Sequence, residues 1–431
     1  LRILILGATG LIGSAVAARL SREGYEVVGV ARRVGGVETR RVAAARWVRL
    51  DLRQVRGPED WLPHLAGIDA VVNCAGALQD GGRDDLEAAH IRGPAALWEA
   101  CEAAGVPRAV HVSAMNVDQG GASRFSASKS RGDAALEASG LEWVILRPSV
   151  VVGRQAYGGS ALLRGLAALP LLPRTPDTGP LDIVQLDDVA ETVARLLRPG
   201  APSRIALDLA GPERLSFEET IALYRRWLGW RPARLISVPG WMVGAAYRIG
   251  DLIGRLGWRP PIRTTARREI VRGAAGDGSE WRRVTGIAPV SLSAALAAEP
   301  ASVQERWFAR LYLLKPLAIG VFALFWLMTG IVSLGPGYGR AVATMRATDA
   351  AALAEISTIA GGIVDMIVAG LILWRPTAKL GLIAALPISL VYMAGGTLLF
   401  PQLWTDPLGP MMKIWLILVL NLVCLFILDE R

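Results

Sequence analysis

Three short groups of residues carry types and spacings suited to chemistry. The first is Gly7-Ala8-Thr9-Gly10-Leu11-Ile12-Gly13, which follows a short apolar run and opens a segment of helical period. Glycines at these spacings permit a tight turn, close approach of a pyrophosphate to the backbone, and close packing of helix on strand. The free N–H groups and positive end of the helix then face the phosphates. The second group is Val30-Ala31-Arg32-Arg33, at the end of the next apolar run. A carboxylate here would bind a ribose 2′-hydroxyl, whereas two planar guanidiniums suit a 2′-phosphate. NADP(H) is therefore favoured over NAD(H); the alternative is that both arginines are solvated surface groups. The third is Phe125-Ser126-Ala127-Ser128-Lys129, whose lysine is the single one in residues 1–314, amid many arginines.

The elements that must position these groups alternate. Arg2–Leu6, Glu26–Val30, Trp47–Leu50, Asp69–Asn73, Ala109–Ser113 and Trp143–Leu146 read as strands, with helix-period segments such as Leu11–Ser21 and Asp84–Ala104 between them. Nearly continuous apolar strands alternating with helices predict an α/β, Rossmann-type, doubly wound parallel sheet covered on both faces. Further on, Ile205–Ala210 reads as a strand, and Ser216 with Glu219 as the capping box of a helix. Residues 240–258 are amphipathic, reading either as a helix lining its own domain's core or cleft or as one resting on a membrane surface. Residues 275–303, rich in Gly, Ala, Ser and Pro, read as the approach to a membrane.

These residues together resemble atypical and extended short-chain dehydrogenase/reductases, and within them the group of the NAD(P)H-binding accessory subunit of respiratory complex I. The resemblance covers residues 1 to about 300. It rests on the Gly7/Gly10/Gly13 turn, Asp51-Leu52, Asn73-Cys74-Ala75-Gly76, Val112-Ser113-Ala114, Lys129, Arg147-Pro148-Ser149, and the Val184–Ala190 segment with Asp187-Asp188. It implies that Gly7, Thr9, Gly10, Leu11, Ile12 and Gly13 hold the cofactor. Asp51 and Leu52 would lie by the adenine, Ala75 and Gly76 along the cofactor, Lys129 on the nicotinamide ribose, and Pro148 and Ser149 near the nicotinamide.

In that family a Tyr-x-x-x-Lys pair supplies the proton and a serine polarises the carbonyl. Ser113 and Lys129 stand at the serine and lysine positions, but Phe125 replaces the tyrosine. No tyrosine occurs between Tyr25 and Tyr157 to take its place. Ser126 and Ser128 are poor acids. His111 shares a strand face with Ser113 by alternation, as a proton source or as a packed core histidine; His90 reads as structural.

Beyond residue 311 four apolar runs, about 311–334, 351–373, 380–400 and 409–428, are long enough to cross a bilayer. The expected organisation is a nucleotide-binding domain over 1–300, with its substrate-side region at about 150–300. A linker, 301–310, and an all-α domain of four transmembrane helices, 311–431, follow. This last part resembles the DoxX-like family, whose relatives are linked to quinone or thiol redox chemistry. Arg306 and Arg310 precede the first run, Arg375 and Lys379 lie between the second and third, and the loop 401–408 has no Lys or Arg. By the positive-inside rule the chain is expected to be multi-pass in the inner (cytoplasmic) membrane with the nucleotide-binding domain in the cytoplasm. Glu355 and Asp365 lie in the second run, Glu355 close to the headgroups and Asp365 deeper. Such groups mark a pathway, a ligand site or a helix-bridging carboxyl.

The chain carries a formal charge of +9 and a mean hydropathy of +0.37. Its scattered arginines, without interleaved aromatics, argue against nucleic acid. The three cysteines have no metal or disulfide spacing, so no metal is expected. With no signal-peptide pattern before the first strand, a reduced, cytoplasm-facing compartment is expected. The lipid bilayer, a quinone or other lipophilic small molecule, and a membrane protein complex are the expected partners. Two functions follow: an oxidoreductase using another proton source, or a non-catalytic NADP(H)-binding structural, sensing or assembly module. An epimerase or isomerase would also need the absent tyrosine.

Overall fold

In a computed structural model, which describes residues 1–82, 84–118, 123–175 and 177–428, the chain divides into two compact units. The first comprises Leu1–Asp251 and Pro260–Ala309; the second comprises Leu252–Arg259 and Arg310–Arg431.

The first unit is built on seven parallel strands: β1 (Arg2–Leu6), β2 (Glu26–Ala31), β3 (Arg46–Arg49), β4 (Ala70–Asn73), β5 (Arg108–Val112), β6 (Glu142–Pro148) and β7 (Ile205–Leu209). Their spatial order is β7-β6-β5-β4-β1-β2-β3. The order reverses between β1 and β4, which makes a crevice at the carboxyl ends of these two strands. Each predicted strand in this sheet is present, with ends shifted by no more than two residues. Alternation along the strands explains the two cores. Ile3, Ile5, Val72 and Val144 pack on one face against Val16 and Leu20 of α1 (Leu11–Arg22). Leu4, Leu6, Val71 and Ile145 pack on the other against Leu97 and Trp98 of α2 (Gly93–Ala104). The expected helix over Asp84–Ala104 is not uniform: a π-helical turn at Ala88–Arg92 leads into α2.

Further helices of this unit include α3 (Arg124–Glu137), α4 (Leu186–Leu196), α5 (Phe217–Trp227), α6 (Gly240–Arg255), whose last turn belongs to the second unit, α7 (Thr264–Arg272) and α8 (Ser279–Thr285). The Ser216–Glu219 capping box at the start of α5 forms as predicted, with Ser216 N–H donating to Glu219 Oε2 at 2.8 Å and Glu219 N–H to Ser216 Oγ at 3.1 Å. The segment 275–303, read as an approach to a membrane, is part of this unit's core. Trp281 is fully buried and donates its indole N–H to Thr192 of α4 at 2.8 Å, and Arg195 donates to the Thr285 carbonyl. Gly276 and Gly278 there lie close against Met115 and Ala210. The core-lining reading of residues 240–258 is also corrected, since Trp241, Ile249 and Leu252 are exposed.

The second unit is helical. Its main helices are α9 (Val303–Leu334), α10 (Ala354–Leu373), α11 (Ala378–Leu399) and α12 (Pro410–Phe426), with a short helix at Tyr338–Arg346. Because α9 begins at Val303, the stretch expected as a linker is helix. Among the described residues three helices, Val303–Leu334, Ala351–Leu373 and Ala378–Leu399, are long and apolar enough to cross a membrane, while Pro410–Phe426 is shorter. Large apolar side chains on the outer faces, Val391 and Leu416 among them, are exposed, while Phe322, Trp326, Val368 and Leu382 form the interior. Glu355 pairs with Arg346. Asp365 is buried and accepts a hydrogen bond from Tyr392 Oη at 2.7 Å, joining α10 to α11 as a helix-bridging carboxyl.

At the glycine turn α1 lies close on the end of β1: a Cβ on Gly13 would fall 2.3 Å from the Gly7 carbonyl oxygen. Gly13→Ala is expected to cost about 1–3 kcal/mol of stability, as overpacking does. A lowered thermal midpoint of the full chain in detergent checks this.

Candidate functional site

The crevice between β1 and β4 is lined by backbone. Gly7 adopts φ +77°, a conformation open to glycine at little cost, and Gly10 N–H closes the turn on the Gly7 carbonyl at 2.9 Å. A Cβ on Gly7 would lie 2.8 Å from Ala75 N, so the turn rests directly on the chain leaving β4. No side chain caps the first turn of α1 at Gly10, leaving the amides beyond Thr9, at Leu11, Ile12 and Gly13, for an anion. This cradle fits a dinucleotide pyrophosphate.

Around it stand four further residues. Arg32 pairs with Asp84 at 3.3 Å, and Arg33 is exposed. Asp51 is gripped by Arg53, with Nη2 to Oδ2 at 2.6 Å. Hydrogen bonding from that guanidinium holds the Asp51 carboxyl below the usual carboxylate range despite partial burial. Leu52 packs at Gly93, where a Cβ would meet it at 2.8 Å. Arg41 is an addition that sequence reading missed: its Nη2 donates to the Thr9 carbonyl at 3.1 Å, placing a guanidinium on the glycine turn itself. It lies outside any strand and carries no local signal of this role.

At the carboxyl ends of β4 and β5 the second half of the site is assembled. Asn73 Oδ1 accepts from Ala75 N–H at 3.0 Å, and its Nδ2 donates to His111 Nδ1 at 3.0 Å. That leaves the His111 Nε2–H facing Asp133 Oδ1 at 3.5 Å. His111 is buried and stands edge-on to Trp98, so it is a core histidine that orients Asp133. Lys129, on α3, is buried and donates to the Val112 carbonyl at 2.8 Å. A Cβ on Gly76 would lie 3.5 Å from Lys129 Nζ and from His90 Nε2, which places the ammonium at the crevice wall. Burial brings the Lys129 pKa down to about 8, against the pull of Asp133. Ser113 Oγ is buried with no close hydrogen bond among the described residues, and it faces the Asp133 carboxylate, whose charge it helps to stabilise.

Asp133, one turn beyond Lys129, was not singled out from sequence. It is buried, and its Oδ2 accepts from Arg147 Nε at 3.2 Å. Burial pushes its carboxyl up, but His111, Ser113 and Lys129 outweigh this and hold it low. Arg147 continues to Asp118 at 2.9 Å. The Cys74 thiol beside this group is pushed up to about 12 by burial.

Phe125 stands edge-on to His90, ring centroids 5.6 Å apart. His90 Nε2 accepts from Ala77 N–H at 3.1 Å, so its Nδ1–H donates to Ser128 Oγ at 2.7 Å, and Ser128 in turn donates to the Phe125 carbonyl. Burial drives the His90 pKa down to about 2, so the ring is neutral. Ser126 is also engaged: it donates to Glu269 Oε1 at 2.8 Å and accepts from Arg272 Nη1 at 2.8 Å, both from α7. Arg272 also ties down the Met115 and Asn116 carbonyls. Ser149 Oγ donates to the Ala274 carbonyl at 2.5 Å, and the Pro148 carbonyl accepts from Met115 N–H. The glycine turn, Ala75, Gly76 and Lys129 thus come together at one crevice, with Ser113 following β5 beside them, while the Ser126, Ser128 and Ser149 hydroxyls are engaged by the protein.

Comparison with known proteins agrees with this geometry. Residues 7–198 match a family described as NAD(P)H-binding, and residues 323–422 match the DoxX-like family. An uncharacterized protein of Mycobacterium tuberculosis is 29% identical over 226 residues, 52% of this chain, although the chain spans only 23% of that relative's length. The mitochondrial NADH-ubiquinone oxidoreductase 40 kDa subunit of Neurospora crassa is 26% identical over 240 residues, 54% of this chain and 62% of that protein. Sterol demethylase protein B of Methylococcus capsulatus is 28% identical over 335 residues, 70% of this chain and 98% of that protein. In fold, the first unit is like UDP-glucuronic acid 4-epimerase from Bacillus cereus, solved with UDP-glucuronic acid and NAD, with a TM-score of 0.52 at 22% identity, covering 72% of this chain and 100% of that one. The chain thus joins a segment similar to an NAD(P)H-binding family, on a parallel-sheet fold, to a segment similar to the DoxX-like family.

Two outcomes are expected. Arg41→Ala, removing a guanidinium from the glycine turn, will weaken NADP⁺ binding by about 1.5–3 kcal/mol, the worth of hydrogen bonds to a charged group, and NAD⁺ binding by less, as read by titration calorimetry on the full chain. The second concerns Lys129. With its folded pKa near 8 and its free value at 10.5, the unfolded state binds more protons between these values, so this residue makes stability rise with pH across that window. Denaturation at pH 8 and pH 10.5 will show the rise in the cofactor-free chain and its loss in Lys129→Met.

Proposed function

We propose that this chain is a membrane-tethered, NADP(H)-binding oxidoreductase of the short-chain-dehydrogenase type acting on a lipophilic substrate, with a quinone or a conjugated double bond as the acceptor. The observation that carries this reading is the convergence of the Lys129 ammonium and the buried Ser113 hydroxyl at the sheet end that bears the glycine turn. When bound, NADPH supplies a hydride. The turn from Gly7 to Gly13 holds the pyrophosphate, and Arg32, Arg33 and Arg41 hold the 2′-phosphate. Ala75, Gly76, Asp51, Leu52, Pro148 and Ser149 frame the rest of the cofactor.

Ser113 Oγ donates to the substrate oxygen. Lys129 takes the part of proton donor: Phe125 has no proton to give, while an ammonium with pKa near 8 releases one close to neutral pH. Asp133 holds the ammonium's charge, and His111 holds Asp133. A lipophilic substrate is supported by the apolar helices and by similarity along 98% of a protein named for sterol demethylation. Domains at about 1–300 and 311–431 are supported by the position of the apolar helices, and placement in the inner membrane with the nucleotide-binding domain on the cytoplasmic side by the charge flanking the apolar runs.

A second reading, a non-catalytic NADP(H)-binding structural, sensing or assembly module of a membrane complex, is favoured by Phe125. It is supported by the likeness to the 40 kDa subunit of NADH-ubiquinone oxidoreductase. The two separate cleanly. Full chain in detergent with NADPH and a soluble quinone analogue is expected to lose absorbance steadily at the reduced-nicotinamide band, and Lys129→Met to abolish this. Tight NADPH binding without turnover would decide for the module. Phe125→Tyr is expected to gain carbonyl reduction.

A further inference from the structure

The arginine excess of the first 304 residues is not spread over them. Between Arg231 and Arg272 there are nine arginines and two carboxylates, Asp251 and Glu269, a net charge of +7. Residues 305–431 carry a net +2 of the chain's +9, so this one segment accounts for the whole excess of the rest. Both carboxylates are engaged inside the segment, Asp251 with Arg263 at 3.2 Å and Glu269 with Arg272 at 2.5 Å.

The same segment contains α6, which leaves its apolar side chains in the open. Trp241 is 74% exposed and Leu252 58%, and Met242, Ile249, Ile253 and Leu256 are exposed with them. At ~100° per residue these six fall within about 120° of the helix circumference. Arg248 and Arg255, both exposed, border one edge of that arc. The opposite side is the packed one. Gly250 is buried so closely that a Cβ would lie 1.7 Å from the Ile262 carbonyl oxygen, and Asp251 reaches from this side to Thr264 Oγ1 at 2.8 Å. The open arc is therefore not a core face turned the wrong way, because the helix already has its core face elsewhere.

The chain running on from α6 belongs to the apolar unit. Trp258 donates its indole N–H to the Leu373 carbonyl, at the carboxyl end of α10, at 2.7 Å, and Arg375 lies over its ring at 5.2 Å. This is a tryptophan and an arginine at the end of a helix long enough to span, the pair that marks the headgroup level.

We propose that α6 is an interfacial helix, lying in the plane of an anionic bilayer surface with Trp241, Met242, Ile249, Leu252, Ile253 and Leu256 in the acyl boundary and the exposed Arg248 and Arg255 at the edge of that arc among the phosphates. The charge selects this occupant over a second copy of the chain. A two-fold contact would set the same positive charge against itself, whereas anionic headgroups complement it. The inference stands apart from the proposed reaction, and its test does not read turnover.

The test uses full chain in nanodiscs, with a thiol-reactive fluorophore at Trp241→Cys or Leu252→Cys. The native Cys101 and Cys424 are buried and Cys74 is half-buried. In discs of phosphatidylcholine and phosphatidylglycerol with brominated acyl chains, both labels are expected to be quenched by bromine and shielded from aqueous acrylamide. A label at Val37→Cys, 74% exposed on the nucleotide-binding unit, is expected to behave in the opposite way. Omitting phosphatidylglycerol, or introducing Arg248→Gln with Arg255→Gln, should reduce the bromine quenching. Labels open to acrylamide and untouched by bromine would overturn the proposal. Labels shielded from both quenchers would overturn it too, since a protein partner or second copy would then cover the face. Quenching indifferent to phosphatidylglycerol and to the arginine changes would overturn its anionic part.

Discussion

An ammonium and a carboxylate one turn apart on a single helix are both buried, and much of the first unit is arranged around that burden. Removing either ion from water carries a penalty of several kcal/mol even after relaxation, so each must be met by fixed partners. Lys129 is met by the Val112 carbonyl at the end of β5. Asp133 is met by Arg147 of β6 and faced by His111 of β5, and Asn73 of β4 fixes the ring of that histidine. Three adjacent strands and α3 are thus locked in register by one polar chain. The same chain brings the amine to the crevice wall and holds its proton loosely enough to be exchanged near neutral pH.

The replacement of tyrosine by Phe125 has a structural counterpart. Its ring is held against His90, which is neutral and fully engaged, and the neighbouring Ser126 and Ser128 hydroxyls are bound by Glu269, Arg272, His90 and the backbone. No acid is left idle on that turn of the helix among the described residues. The consequence is a division of labour on α3 in which the first turn is structural and the second is electrostatic.

What could be read from the chain alone was what is local. The six short apolar runs, the glycine turn and the Ser216–Glu219 capping box each depend on residues within a few positions, and each is where the spacing put it. Arg41 and Asp133 gave no such signal, because their roles arise from partners 32 and 14 residues away, the Thr9 carbonyl and Arg147. The segment 275–303 was misjudged for the same reason, since the place of Trp281 depends on Thr192, 89 residues earlier. Residues 240–258 showed their amphipathic period plainly, but period alone does not say whether the apolar arc faces inward, and it does not.

The π-helical turn at Ala88–Arg92 widens the helix by one residue at the point where His90 sits. The His90 carbonyl would meet a Cβ on Gly132 at 2.2 Å, so the swollen turn nests against α3 where that helix has no side chain. A chain shortened by a single residue here would restore regular α geometry and rotate everything upstream by about 100°. The imidazole would then swing off the Ala77 amide that it accepts from, and the loop after β4 would lose its anchor. Length in this helix is thus fixed by the same contacts that hold its side chains.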